Sequence, residues 1–372
     1  MIKYPDYNKS ILSVISSILK YYGYDNGHKS LEILDEKLKN KYNNIVLMIF
    51  DGMGVSSVKK FLKNTDFLMR HYVGNISSVC PSTTGCAIPT IESGKAPIEH
   101  AWLGWDMYFK EYDSNITVFK NTYQDSNEKV EEYSVAQKYM GYKNVFDIIK
   151  EVTNGVVTPH DISKYSDTNE FVFSCEEMLR KVHSIAKNDV EDFIYTYLEE
   201  PDSVMHALGT DHEYVKENIR YINSLVCELA EVLDDSLIIV MADHGLVNTK
   251  SIYLEDYPKI QDMLLRRPSI ESRAVNFYVK EEYKNVFEKE FNKIFKKDFL
   301  LLTKDQIIEK KLFGEGVKNP RIDEVVGDYM AFAIGDKALE WENDGFMMEA
   351  RHAGLTKEEM EVPLFVIDTN NL

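Results

Sequence analysis

The amino-acid sequence predicts an α/β fold: a mostly parallel central sheet flanked by helices, carrying a small inserted α/β subdomain. Three observations carry that prediction. Short apolar runs recur along the chain, and three of them stop at a turn that contains an aspartate. Stretches with helical spacing lie between those runs. A segment rich in Lys and Glu, 253–316, interrupts the pattern before it resumes. Strands that alternate with helices build parallel sheets through crossover connections. Ligands of such sheets collect beyond the carboxyl ends of the strands.

In chain order, residues 9–22 place Ile11, Leu12, Ile15, Ile18 and Leu19 at helical spacing, so the chain opens with an amphipathic helix. The run 44–50 (NIVLMIF) ends at Asp51-Gly52 and reads as a buried strand. Two later runs have the same form. FIYTYL at 193–198 ends at Glu199-Glu200-Pro201-Asp202, and SLIIVM at 236–241 ends at Ala242-Asp243-His244-Gly245. Helical patterns occupy 130–152, 174–187 and 214–233. Within 253–316 a strand-like piece (AVNFYVK) precedes a helical one (EEYKNVFEKEFNKIF), which marks the inserted subdomain against a core of 1–252 and 317–372. The chain returns to the core with 325–334 and closes with 363–367 (PLFVI), another buried strand.

Composition narrows the function. The 372 residues hold 43 Lys and Arg against 61 Asp and Glu, a net charge of −18. Coating nucleic acid or binding an anionic membrane needs a basic surface, so both are excluded as main roles. A hydrophobic fraction of 44% beside 28% charged residues supports a folded core rather than a disordered chain. No apolar run reaches the ~18 residues of a transmembrane helix. The first residues lack the basic start and apolar stretch of a secretion signal. Cys80, Cys86, Cys175 and Cys227 lack CxxC spacing, so a cytoplasmic location without disulfides is expected. Oligomeric state leaves no mark in the sequence.

The candidate chemistry lies at the strand ends. Asp51 sits in DGMG; Asp202 and His206 stand four apart, which brings them to one face of a helical turn. Asp243 and His244 are adjacent and can share a site only from a loop. His352 lies in RHAG, where Gly354 permits close backbone approach. Singly, each reads as a turn or cap residue. Together, these carboxylates and imidazoles suit two divalent cations, Zn2+ or Mn2+, with the imidazoles favouring zinc. The segment 81–100 (PSTTGCAIPTIESGKAPIEH) places Thr83 and Thr84 before a helical run. Free N–H groups there can hold an anion, and a threonine oxygen can act as nucleophile. An ordinary N-cap is the plainer alternative.

These motifs, in their order FDGMG, PSTTGCAIPTIESGKAP, YLEEPDSVMHALG, MADHGL and RHAG, resemble the alkaline phosphatase superfamily, specifically its type I phosphodiesterase/nucleotide pyrophosphatase branch. The resemblance implies an alkaline phosphatase-like fold and a two-metal hydrolase that cleaves phosphodiester or pyrophosphate bonds through a covalent phospho-threonine. It makes Thr84 the nucleophile, three residues after Pro81 and ten before Gly94, with Thr83 as runner-up. It gives one metal Asp202, His206 and His352, and the other Asp51, Asp243, His244 and the Thr84 oxygen. The implied substrate is a small phosphate ester or nucleotide-like molecule. Phosphomonoester or phosphonate hydrolysis on the same metals is the alternative, and a catalytically silent metal-binding relative a further one.

Formal charge favours a diester. Two divalent cations, three carboxylates and an alkoxide sum to about zero, which holds a monoanion, whereas a dianionic monoester asks for an extra cation such as Arg. No Arg lies in 81–100; Lys95 reads as surface, and Arg351 beside His352 can point either way. The chain departs from the branch at two places. Trp105 stands 21 residues after Thr84, where the branch has an asparagine that bonds a phosphoryl oxygen, and Gly85 replaces an aromatic that stacks on the base. Tyr197, five before Asp202, matches another base-facing aromatic. Trp102, Trp105, Tyr108 and Phe109 form an aromatic cluster that reads as core or as substrate wall. His100 reads as structural, and no motif supports His160 or His212.

Overall fold

The computed structural model describes residues 2–163, 175–187, 190–345 and 347–372. Its centre is a six-stranded sheet in the order Tyr72–Ser77, Glu361–Asp368, Ser236–Met241, Asn44–Phe50, Asp192–Leu198, Thr158–Ser163. Asn44–Phe50 pairs in parallel with both neighbours, and Thr158–Ser163 extends the parallel set. The three apolar runs are buried along their whole length, as strands covered on both faces must be. Their register is level: Ile49 lies opposite Tyr197 on one side and Met241 on the other. The turns that follow therefore emerge side by side.

The helix at 9–22 runs Ile11–Tyr21, and Ser10 and Ser13 exchange hydrogen bonds in a capping box at its start. The helix at 214–233 runs Glu213–Val232. That at 174–187 runs Cys175–Ala186, residue 174 lying outside the described residues. The stretch 130–152 resolves into two helices, Val135–Met140 and Val145–Val152. Gly141 turns extended between them and Asn144 caps the second through Phe146 N–H, which competes with continuous helix. The closing strand, Glu361–Asp368, is buried as expected but antiparallel to both neighbours, which makes the sheet mixed.

A second, antiparallel sheet runs Phe299–Thr303, Tyr329–Ala333, Ala274–Phe277, Ser269–Glu271, Asp106–Phe109, Ser114–Thr117, Thr122–Tyr123. It draws on strands before and after 253–316, so its hydrogen bonding extends beyond that segment. The helix Lys284–Phe295 covers it with Phe287, Phe291 and Phe295, spaced four apart along one face. Ser269, Ile270 and Glu271 line one cavity with Asp51 and Asp202, the residues that follow two of the central strands.

Candidate active site

The parallel register brings Asp51, Asp202 and Asp243 together. Asp51 N–H donates to Leu198 O at 2.9 Å, and Asp202 N–H to Asp51 O at 3.1 Å, which splices the first two turns. The third is packed against the first by glycines. A Cβ on Gly54 would lie 2.6 Å from Gly245 Cα, and one on Gly245 would lie 2.2 Å from Glu358 O. Gly52, at φ 71°, donates its N–H to Asp243 Oδ1 at 3.1 Å. The glycines of DGMG and DHG are thus required by the close approach of the two loops that carry Asp51 and Asp243.

Asp51, Asp243 and His244 are buried and present ligand atoms within 4.8 Å of one another. Asp202, His244 and His352 form a second such group. These are two candidate metal clusters that share His244. His206 lies at their edge. Its Nε2 is 3.0 Å from Asp202 Oδ2, its ring is 5.1 Å from that of His352, and its Nδ1 is anchored 2.7 Å from Ala350 O. The second group therefore contains His244 where the resemblance implies His206, which flanks it through Asp202. His352 stacks on His244 at 4.0 Å because Ala350–Arg351 pairs with Val247–Asn248 just beyond the DHG turn.

The donor set fits cations. Asp51 Oδ1, Asp202 Oδ1, Asp243 Oδ2 and His352 Nδ1 are buried without a hydrogen-bond partner. Burial, then the charges of Asp243 and Asp202, pushes the Asp51 carboxyl well above the usual carboxylate range. Burial, then His244 and His206, holds His352 well below the usual imidazole value, which suits a neutral imidazole able to take a cation. Burial opposes charge on His206, yet Asp202 and the Ala350 carbonyl hold its pKa above the ordinary value.

Thr84 opens the helix Thr84–Ser93 with Thr83 at its N-cap. Thr84 Oγ1 lies 3.1 Å from His244 Nε2 and donates to Asp51 Oδ2 at 3.3 Å. Gly94 closes that helix in the left-handed region at φ 64°. The turn before Thr84 is sewn to the His352 loop: Ala353 N–H donates to Ser82 O at 2.8 Å, and Ser82 Oγ to Gly354 O at 2.9 Å. A buried ion pair holds that loop from behind. Arg273 donates to both Glu359 oxygens at 2.7 Å, and Glu359 accepts Gly354 N–H at 2.8 Å.

The other sequence candidates divide. Tyr197 is buried and its hydroxyl donates to Asp51 Oδ2, which ties its ring to the site floor. Trp105 lines the cavity and packs on Phe119, whereas Trp102 is core, its indole donating to Met140 O at 2.8 Å. Phe109 is core, and Tyr108 carries the Arg266 guanidinium 4.0 Å from its ring centroid. Gly85 has no room for an aromatic, since its Cβ would lie 2.6 Å from the Gly104 backbone. Arg351 pairs with Glu340 at 2.9 Å, and Lys95 is exposed. His100 is structural: it accepts Trp102 N–H, meets Thr90 Oγ1, and burial lowers its pKa to about 3. His160 pairs with Asp192, and His212 caps the helix Glu213–Val232.

Sequence reasoning missed Glu271 and the pair Arg273–Glu359. Their only signal is a Glu and an Arg flanking Ser272 just before an apolar strand, which belongs to no motif. The cavity beyond Thr84 measures about 620 Å³. Its wall includes Trp105, Asp106, Glu199, Glu271, Trp341 and Asp344.

Comparison with known proteins agrees with this architecture. Over 90 residues the chain is 29% identical to GPI ethanolamine phosphate transferase 3 of Schizosaccharomyces pombe, which is 21% of this chain and about a tenth of that protein. Murine ectonucleotide pyrophosphatase/phosphodiesterase 5 superposes with a TM-score of 0.65 at 15% identity, covering 86% of this chain and 87% of that one. Phosphonoacetate hydrolase from Sinorhizobium meliloti 1021, solved with phosphonoformate, superposes with a TM-score of 0.63 at 13% identity, covering 86% and 89%. At those identities the likeness is one of fold. The profile of the type I phosphodiesterase/nucleotide pyrophosphatase family matches residues 45–331, most of the chain and every motif named above except RHAG. With that match added to an alkaline phosphatase-like fold and two Asp/His clusters, the chain belongs to the type I phosphodiesterase/nucleotide pyrophosphatase family of the alkaline phosphatase superfamily.

Proposed function

We propose that the protein is a two-metal phosphodiesterase that works through a phospho-threonine at Thr84. The observation that carries this reading is the place of Thr84 Oγ1, at the first turn of a helix, within 3.3 Å of both His244 Nε2 and Asp51 Oδ2. Asp51, Asp243, His244 and Thr84 would hold one cation, and Asp202, His206 and His352 the other, zinc being favoured by the imidazoles. Bound there, the cations would supply Lewis-acid stabilisation of charge on the attacking and leaving oxygens. The Thr84 oxygen attacks phosphorus in line as its proton passes to solvent, and the bond to the leaving oxygen breaks, that oxygen taking a proton from solvent to depart as an alcohol. Water then cleaves the phospho-threonine, returning the hydroxyl and releasing a monoester. Two inversions leave net retention at phosphorus.

A monoanionic diester is favoured over a dianionic monoester because the cavity arginines are engaged by carboxylates. Arg351 pairs with Glu340 and Arg267 with Asp125 at 3.0 Å. Carboxylates on the wall, Asp106, Glu199 and Asp344 among them, disfavour polyanions such as nucleoside triphosphates. The test is metal analysis followed by turnover of bis-p-nitrophenyl phosphate against p-nitrophenyl phosphate. Faster diester cleavage is expected. Faster monoester cleavage would replace the reading with a phosphomonoesterase, and a fully metallated protein that cleaves neither would make it a silent relative.

A further inference from the structure

The nucleophile turn is gripped from the second sheet by a residue that no motif marks. Glu271 ends the strand Ser269–Glu271 and reaches into the cavity. Its Oε1 accepts two hydrogen bonds, from Thr83 Oγ1 at 2.8 Å and from Trp105 N–H at 3.0 Å. Thr83 is the N-cap of the nucleophile helix but makes no side-chain cap bond, because its hydroxyl is turned to Glu271. Its carbonyl still accepts Cys86 N–H and Ala87 N–H, so wherever Thr83 is held, the first turn and Thr84 follow.

The approach is enforced on both sides. A Cβ on Gly85 would meet the Gly104 backbone at 2.6 Å, and a Cβ on Gly104 would meet Ile270 Cγ2 at 2.7 Å. The nucleophile turn, the 104–105 backbone and the strand Ser269–Glu271 are therefore stacked in direct contact. Ile270 adopts φ 79°, a left-handed conformation that a β-branched residue rarely takes. Strain of that kind persists only where surrounding contacts impose it. Here it orients the residue that bridges the other two layers.

We propose that Glu271 is a positioning residue for Thr84: its Oε1 joins Thr83 to the Trp105 backbone and so aims the Thr84 hydroxyl at Asp51 and His244. The proposal rests on Thr84 being the nucleophile. Both bonds fall on one oxygen, so a glutamine, whose carbonyl can accept both, should substitute and an alanine should not. Burial also pushes the Glu271 carboxyl up to about 8, the Thr83 bond opposing and Asp106 adding.

The experiment compares Glu271→Gln, Glu271→Ala and Thr83→Val, each fully metallated, on bis-p-nitrophenyl phosphate, and adds a crystal structure of Glu271→Ala. In Glu271→Ala and Thr83→Val, kcat should fall about 10- to 100-fold, the scale of a ~1 Å misplacement, with KM and metal content unchanged. Glu271→Gln should stay within about threefold of the unaltered enzyme, since it keeps the acceptor geometry. In the Glu271→Ala crystal, Thr84 Oγ1 should leave hydrogen-bond range of Asp51 or His244. The proposal is overturned if Glu271→Gln is as slow as Glu271→Ala, or if Thr84 is unmoved in the crystal whatever the rate. If the unaltered, metallated protein cleaves no diester, the phosphodiesterase reading fails, and the position of Thr84 in the crystal still decides this one.

Discussion

The two candidate metal clusters use the same residue types but are held by different kinds of structure. Asp51, Asp243 and His244 hang from the ends of two adjacent parallel strands, and the strand register together with the glycine contacts between their turns sets them together. His244 and Asp243 are sealed, at 0% exposure, under loops packed glycine against glycine, and of the three Asp51 meets the cavity. Asp202 and His206 ride on the short helix Asp202–Leu208, and His352 sits on a loop fixed from outside by Ser82 and by the Arg273–Glu359 pair. These three open toward the cavity. The Asp51–Asp243–His244 side is thus built onto the sheet, whereas the Asp202–His206–His352 side is assembled by contacts between distant segments. Substitutions on the first side should meet steric limits; those on the second should change one ion and leave the other.

The largest expected effect comes from the residue at the sealed cluster. Thr84→Ala should lower turnover about 10⁴-fold or more, as loss of a covalent nucleophile does, while keeping both metals. Steady-state hydrolysis with metal analysis checks it, and near-normal turnover would pass the role to Thr83. Next, Gly245→Ala forces a Cβ onto Glu358 O and should destabilise the fold by about 1–3 kcal/mol, as overpacking does. Chemical denaturation measures it; an unchanged midpoint would mean that the glycine contact carries no constraint.

A smaller effect separates the clusters by their protons. Asp51 and His206 both hold protons more tightly than usual in the metal-free protein, so a cation must displace them. Metal affinity should therefore fall as pH falls, and binding near pH 6.5 should release protons to the buffer. Titration calorimetry in buffers of different ionisation enthalpy reads that release. His206→Asn should remove only the cavity-side share, and buffer-independent heats would contradict the assignment.

Much of this was legible because the parallel strands announce themselves. An apolar run that ends at Asp-Gly or Asp-His-Gly states both the strand and the place where its carboxyl end delivers a side chain. Asp51, Asp243 and His244 lie together at those strand ends, and Thr84 reaches them from the start of a helix. What was not legible depends on contacts between residues far apart in the chain. Glu271 reaches Thr83 across 188 positions and Arg273 reaches Glu359 across 86, and neither pair leaves a local pattern. The absent aromatic at Gly85 was visible as a departure, but its cause, the Gly104 backbone, was not. The direction of the closing strand was equally hidden, since a buried strand reads the same either way.

The central claim is that two cations sit side by side, one against the Thr84 oxygen. Anomalous diffraction from crystals grown with zinc tests it most directly. The account predicts two peaks, one among Asp51, Asp243, His244 and Thr84 and one among Asp202, His206 and His352. A single peak, or zinc bound away from Thr84, would contradict it.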